Sequence, residues 1–214
     1  MKPDLAELVA PGHTAVVTQE CQGAVMGPNA GLAVLAAEAR REALPNIVAL
    51  LPAAREAGVA VVHCLVQRRP DGRGSNHNAR IFAGAGKATG TASGKGLDIT
   101  PGSEGASLLP ELGPQPSDLL LTRWHGVGPM GGTDLDSVLR NLGVTTIVVV
   151  GVSLNIAIPN LVMDAVNRAY RVVLPRDGVA GYPAEYGAAM IDNSLSLLAT
   201  VTTTEELIAT WQAR

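Results

Sequence analysis

From Ile147 to Val150 the stretch TTIVVVG, residues 145–151, runs through β-branched residues with no polar side chain to interrupt it. A strand with one solvated face alternates, so a strand apolar on both faces belongs in the middle of a parallel sheet with helices packed on either side. That single run commits the rest of the chain to supply neighbouring strands and two helical layers.

The remaining sequence meets this demand. Short β-branched runs alternate with Ala/Leu-rich helical stretches, the pattern of an α/β protein. The strands are expected at 13–19, 57–67, 117–122, 145–151, 170–175 and 200–203. A helical pair follows the first, divided at Pro45 because proline cannot donate within a helix. Thr133 is placed to cap a helix that Gly143 ends. A further helix carries Pro159 near its first turn, where a missing N–H does no harm, and later helices cover 183–199 and 204–212. The expected architecture is a three-layer α/β/α sandwich, Rossmann-like, around a six-stranded, mostly parallel sheet. It forms a single domain over 1–214, with a polar, glycine-rich insertion at 68–115 read as a lid or binding loop.

Composition removes several function classes. Apolar residues are 47% and charged residues 16% of the 214, enough burial to offset ordering entropy. Aromatic residues are only 3%, so the core is aliphatic. With a net charge of −3 and no dense Lys/Arg run, nucleic acid is not an expected partner. No apolar run approaches the roughly 20 residues that span a bilayer, so no membrane association is expected. Cys21 and Cys64 are too few for a disulfide framework and lack CxxC spacing, and the opening MKPDLAELVAPGH does not read as an export signal. Cytoplasm is the expected compartment.

In such sheets ligands collect outside the carboxyl ends of the strands, where strand order reverses. Glu20 follows strand one, Arg123 and His125 strand three, Ser153 to Ala157 strand four and Asp177 strand five. A carboxylate and a guanidinium brought together there can polarise a bond and exchange a proton, and the same two groups can equally be an ion pair that closes the sheet.

The segments TAVVTQECQ, LLLTRWHGVGPMGGTDLDSVLRNLGV and GVSLNIAIPNLVMDAVNRAYRVVLPRDGVAG resemble, in order, the three active-site segments of the isochorismatase-like family, also called cysteine hydrolases. The resemblance runs from about His13 to the end of the chain. It implies a catalytic set of aspartate, lysine and cysteine, which fall on Glu20, Arg123 and Ala157. All three differ. Glu20 keeps a carboxylate for acid/base work, and Arg123 keeps the charge but cannot give up its proton. Ala157 cannot form a covalent intermediate, so the thioester route is closed at that position. True isochorismatases resemble this chain in lacking the cysteine, which implies that Glu20 protonates the substrate while water completes the hydrolysis. The resemblance also implies a cis peptide between Val152 and Ser153, and backbone donors from Asn155 to Ala157 aimed at the substrate. Gln22, Ser153 and Asn155 join the expected substrate contacts.

Other residues are weaker candidates. Cys21 and Cys64 are expected to be core thiols, Cys21 because neighbours on an extended segment point to opposite faces from one another. His63, His77, His125 and Asp71 lack the close Asp-x-His spacing of the metal-binding members that the resemblance brings with it, so no metal is assigned. His125 is an expected substrate contact or proton shuttle. Arg69 and Arg80 are chosen from the basic insertion to meet a carboxylate. GVGPMG at 126–131 and GTASGKG at 90–96 mimic dinucleotide and phosphate loops, but Pro129 removes a backbone donor and the second lacks the required spacing. No cofactor is expected.

The sequence thus points to a hydrolase without a cysteine nucleophile, acting on a small, carboxylated metabolite and, by the same resemblance, assembling as a homodimer or homotetramer. The alternatives are a non-catalytic metabolite-binding protein and a non-hydrolytic enzyme of secondary metabolism on the same fold.

Overall fold

The computed structural model describes residues 4–83 and 98–213. Its sheet comprises β1 (Thr14–Gln19), β2 (Ala60–Val66), β3 (Leu119–Arg123), β4 (Thr146–Val152), β5 (Arg171–Pro175), β6 (Val179–Ala180) and β7 (Thr200–Thr202). The order is β3-β2-β1-β4-β5-β7, and β6 also pairs with β4. The ladders are parallel, with Val17 opposite Val62 on one side and Val149 on the other. β4 lies inside the sheet, buried along its whole length, as its unbroken apolar run requires.

The sheet has seven strands where the sequence pattern led us to expect six. The additional one, β6, is two residues long and pairs Val179 with Gly151 and Ala180 with Val152. A two-residue strand has no periodicity to read.

The helices are α1 (Leu5–Leu8), α2 (Gly23–Met26), α3 (Ala33–Arg41), α4 (Ala43–Glu56), α5 (Arg80–Ala83), α6 (Pro129–Gly132), α7 (Leu135–Asn141), α8 (Ala157–Asn167), α9 (Ala184–Asn193) and α10 (Thr204–Gln212). Strand alternation sends Val16, Val61, Val148 and Val150 against Ile47, Leu50 and Leu51 of α4 and Leu207 and Trp211 of α10. Ala15, Val17, Val62, Ile147 and Val149 face Leu139 of α7 and Ile158, Leu161 and Val162 of α8. These two aliphatic layers are the core.

Some boundaries differ from expectation. The helical pair divides at Glu42, and Pro45 sits in the first turn of α4, where its missing N–H costs nothing. The helix expected over 183–199 ends at Asn193 and gives way to a 3₁₀ turn at Leu195–Leu197. The insertion at 68–115 is not a free loop throughout. Arg68 N donates to Ile99 O at 3.0 Å, and beyond that point the chain is built into the body: Gly23 N donates to Ser107 O, Ala24 N to Gly105 O and Leu109 N to Cys21 O. Ala106, Leu109 and Leu112 are buried. The glycine-rich motif at 90–96 lies outside the described residues. Among the described residues no helix is long and apolar enough to cross a membrane.

Candidate active site

Strand order reverses between β1 and β4, and the carboxyl ends of these strands define the place where a ligand is expected. Gln19 is the last residue of β1, and Glu20 then turns out of the sheet with φ 54°, a left-handed conformation that residues other than glycine seldom adopt. Its N–H still bonds the Cys64 carbonyl of β2 at 2.9 Å, while Gln22 N closes a tight turn on the Glu20 carbonyl at 2.8 Å. The carboxylate is therefore aimed by the backbone rather than by strand alternation.

Arg123 is the last residue of β3, not a loop residue. Its Nη2 donates to Glu20 Oε1, and its Nε donates to the Gly126 carbonyl at 3.3 Å. The side chains of Arg123 and Glu20 are 5% and 15% exposed, so water screens this ion pair little. The two residues come from strands separated by β2.

The helix that follows β4 is α8. The Val152–Ser153 peptide is cis, as the resemblance implied. Ala157 opens the helix and is buried. The Ser153 carbonyl accepts from Ile156 N at 3.2 Å and Ile158 N at 3.0 Å, whereas the N–H groups of Asn155 and Ala157 take no acceptor among the described residues. A helix start with free N–H groups favours a carboxylate or an oxyanion.

Several expected contacts are occupied elsewhere. Gln22 is wholly buried, giving its amide hydrogens to Val66 O and Gly105 O while its oxygen accepts from Val66 N. It clamps β2 to the insertion. The Asn155 side chain bridges the backbone of Tyr182, donating at 2.6 Å and accepting at 2.9 Å, so both ends of its amide are held by the fold. Arg69 is exposed and paired with Asp71, and Arg80 is exposed at the start of α5. His125 is exposed on the loop after β3, and Ser153 is half-buried. Asp177 holds α10, accepting from Thr204 N at 2.9 Å and Thr204 Oγ1 at 2.7 Å.

Two residues absent from the expected site touch its core. Gln19 Nε2 donates to Glu20 Oε1 at 3.2 Å. Asn76 Oδ1 accepts from Gly126 N at 2.7 Å and so ties the insertion to the Arg123 loop. Gln19 was detectable as the one amide in a strand of threonine and aliphatic residues; Asn76 gave no such signal. Gly128, part of the dinucleotide mimic, is glycine because a Cβ there would run into the Asn160 side chain of α8.

The thiols of Cys21 and Cys64 are wholly buried, and burial pushes each up to about 12. Cys21 is sequestered although Glu20 breaks the extended geometry on which its orientation was argued. His63 is also buried, its Nδ1 2.8 Å from Thr18 Oγ1 and its Nε2 3.3 Å from Asp118 Oδ2, and Asp118 is held in turn by Arg55 at 2.7 Å. Its nitrogens are thus engaged by side chains of the fold. His77 is exposed.

An α/β sandwich that pairs a carboxylate with a guanidinium at the carboxyl ends of its strands has the layout of many small-molecule enzymes, and comparison with known proteins narrows it. The pattern of the isochorismatase domain matches residues 14–206, and the chain belongs to that family. It is 29% identical over 178 residues to a ureidoacrylate amidohydrolase of Agrobacterium fabrum, covering 78% of this chain and 75% of the relative. Its fold matches a cysteine hydrolase of Pseudomonas syringae with a TM-score of 0.83 at 24% identity, covering 96% and 95% of the two chains. It also matches the N-carbamoylsarcosine amidase of Thermoplasma acidophilum with a TM-score of 0.69 at 23% identity, covering 90% and 96%. Family members are hydrolases, and this chain is an isochorismatase-family hydrolase by membership.

Proposed function

We propose that the protein hydrolyses a small carboxylated metabolite without a cysteine nucleophile, with Glu20 as proton donor and acceptor and water as the attacking group. The observation that carries this reading is the Glu20–Arg123 pair at the ends of β1 and β3, together with Ala157 as the first residue of the helix that follows β4. Alanine there has no atom that can attack, so a covalent acyl-enzyme is not formed at that position. Arg123 stabilises negative charge as it develops, and the free N–H groups at the start of α8 orient a carboxylate or carbonyl oxygen. The name of the Agrobacterium relative, an amidohydrolase of ureidoacrylate, supports a carboxylated substrate.

The test is a panel of carboxylated vinyl ethers, amides and esters offered to the wild type and to Glu20→Gln in ¹⁸O-labelled water. Turnover by the wild type with one labelled oxygen in the product, lost in a folded Glu20→Gln variant, is the expected result. Turnover without label uptake transfers the site to a non-hydrolytic reaction. Tight binding without turnover makes the protein a metabolite-binding member of the family.

A further inference from the structure

The reading above needs water as the attacking group, and two buried side-chain atoms beside Glu20 bear on where that water sits. Gln19 is wholly buried. Its Nε2 is engaged by Glu20 Oε1, yet its own Oε1, shut off from solvent, meets no donor among the described residues. Arg123 gives Nη2 to the same Glu20 oxygen and Nε to Gly126, while its buried Nη1 meets no acceptor among them. Both donors converge on one oxygen, so the idle acceptor and the idle donor, each on the same planar group as its engaged neighbour, are disposed around one carboxylate. Both hydrogen bonds from these side chains end on Oε1, which leaves Oε2 for other work.

Packing alone does not account for a glutamine here. Positions 15 and 17, which share its face of β1, are alanine and valine in the core. Buried polar atoms without partners are rare, and where they gather an ordered water with two to four partners is the usual answer. A water bridging these groups would accept from Arg123 Nη1 and donate to Gln19 Oε1 and Glu20 Oε2.

We infer that Gln19 and Arg123 hold the water that the reaction consumes, an assignment that rests on the hydrolase reading. The water oxygen bonds to the electrophilic carbon of the substrate and one of its protons passes to Glu20 Oε2. The bond from that carbon to the leaving group breaks as the leaving group takes a proton from the same carboxyl. One water is consumed, Glu20 returns to its starting state, and no oxidant or reductant enters.

The experiment is a crystal structure of the wild type at a resolution that places waters, followed by Gln19→Met, close in length but without the acceptor, and Gln19→Glu, which retains an oxygen. The expected result is an ordered water within hydrogen-bond distance of Gln19 Oε1 and Arg123 Nη1 that is absent from the folded Gln19→Met variant. On the substrate found for the wild type, kcat of Gln19→Met falls about tenfold or more with KM unchanged, and Gln19→Glu recovers part of the loss. No water at that place in the wild type, or wild-type kcat in Gln19→Met, overturns the inference. The first arm needs only the wild-type protein, so a variant that fails to fold does not shelter it. Water present and displaced by methionine, with no turnover on the whole panel, upholds the water site and sinks the hydrolase reading instead.

Discussion

Arg123 and Glu20 neutralise one another where solvent scarcely reaches, and removing one partner strands the other's charge. Arg123→Met is therefore expected to lower unfolding free energy by about 3 kcal/mol, read from urea denaturation, and Glu20→Gln by less, because a neutral amide still accepts from the guanidinium. His63 offers a second test. Burial pushes its imidazole below the ordinary value of 6.5, against the opposing Asp118 hydrogen bond. The unfolded chain then binds the proton more readily, so His63 makes stability fall as pH drops below about 6.5. Asp118 acts in the same direction at lower pH. Burial raises it, but hydrogen bonds from Arg55 and Gln115 N–H outweigh that and leave it below its ordinary 3.8, so its contribution is lost as pH falls through its folded value. The urea midpoint measured from pH 7.5 to 5 is expected to decline in the wild type and to decline less in His63→Gln.

At the scale of elements, what the sequence discloses depends on how far its signals reach. β4 is legible because burial on both faces writes itself into every position, and Gly143 ends α7 with φ 71°, as a helix-terminating glycine should. β6 is illegible because two residues carry no period. The insertion misleads for a different reason: much of what fixes 98–112 is backbone bonding to Cys21, Gly23 and Ala24, and main-chain partners leave no mark on side-chain pattern. Glu20 and Arg123 are found through motif position, whereas Gln22 and Asn155 are polar at the right place but engaged by backbone that sequence cannot display. α10 offers a clean test of a local signal. Thr203 and Glu206 form a reciprocal capping box at its start. Thr203→Ala should cost about 1 kcal/mol, a fall in melting temperature of about 2–4 °C for a domain of this size.

Over the whole molecule, α10 joins distant stretches of chain. The Trp211 indole N–H donates to the Val9 carbonyl at 2.9 Å across 202 positions of sequence, and the ring fills the layer shared with α4. Trp211→Ala leaves both a cavity and an unpaired carbonyl and is expected to cost about 3–5 kcal/mol, read from chemical denaturation. The sheet itself is unevenly protected. β3 is one of its two edge strands, with Leu119 and Leu120 exposed, and Arg123 is that strand's last residue. Marginal strands detach first while interior ones stay shut. The Glu20–Arg123 pair is thus tied to a rim of the sheet, and each momentary fraying of β3 parts the two charges before the aliphatic interior yields.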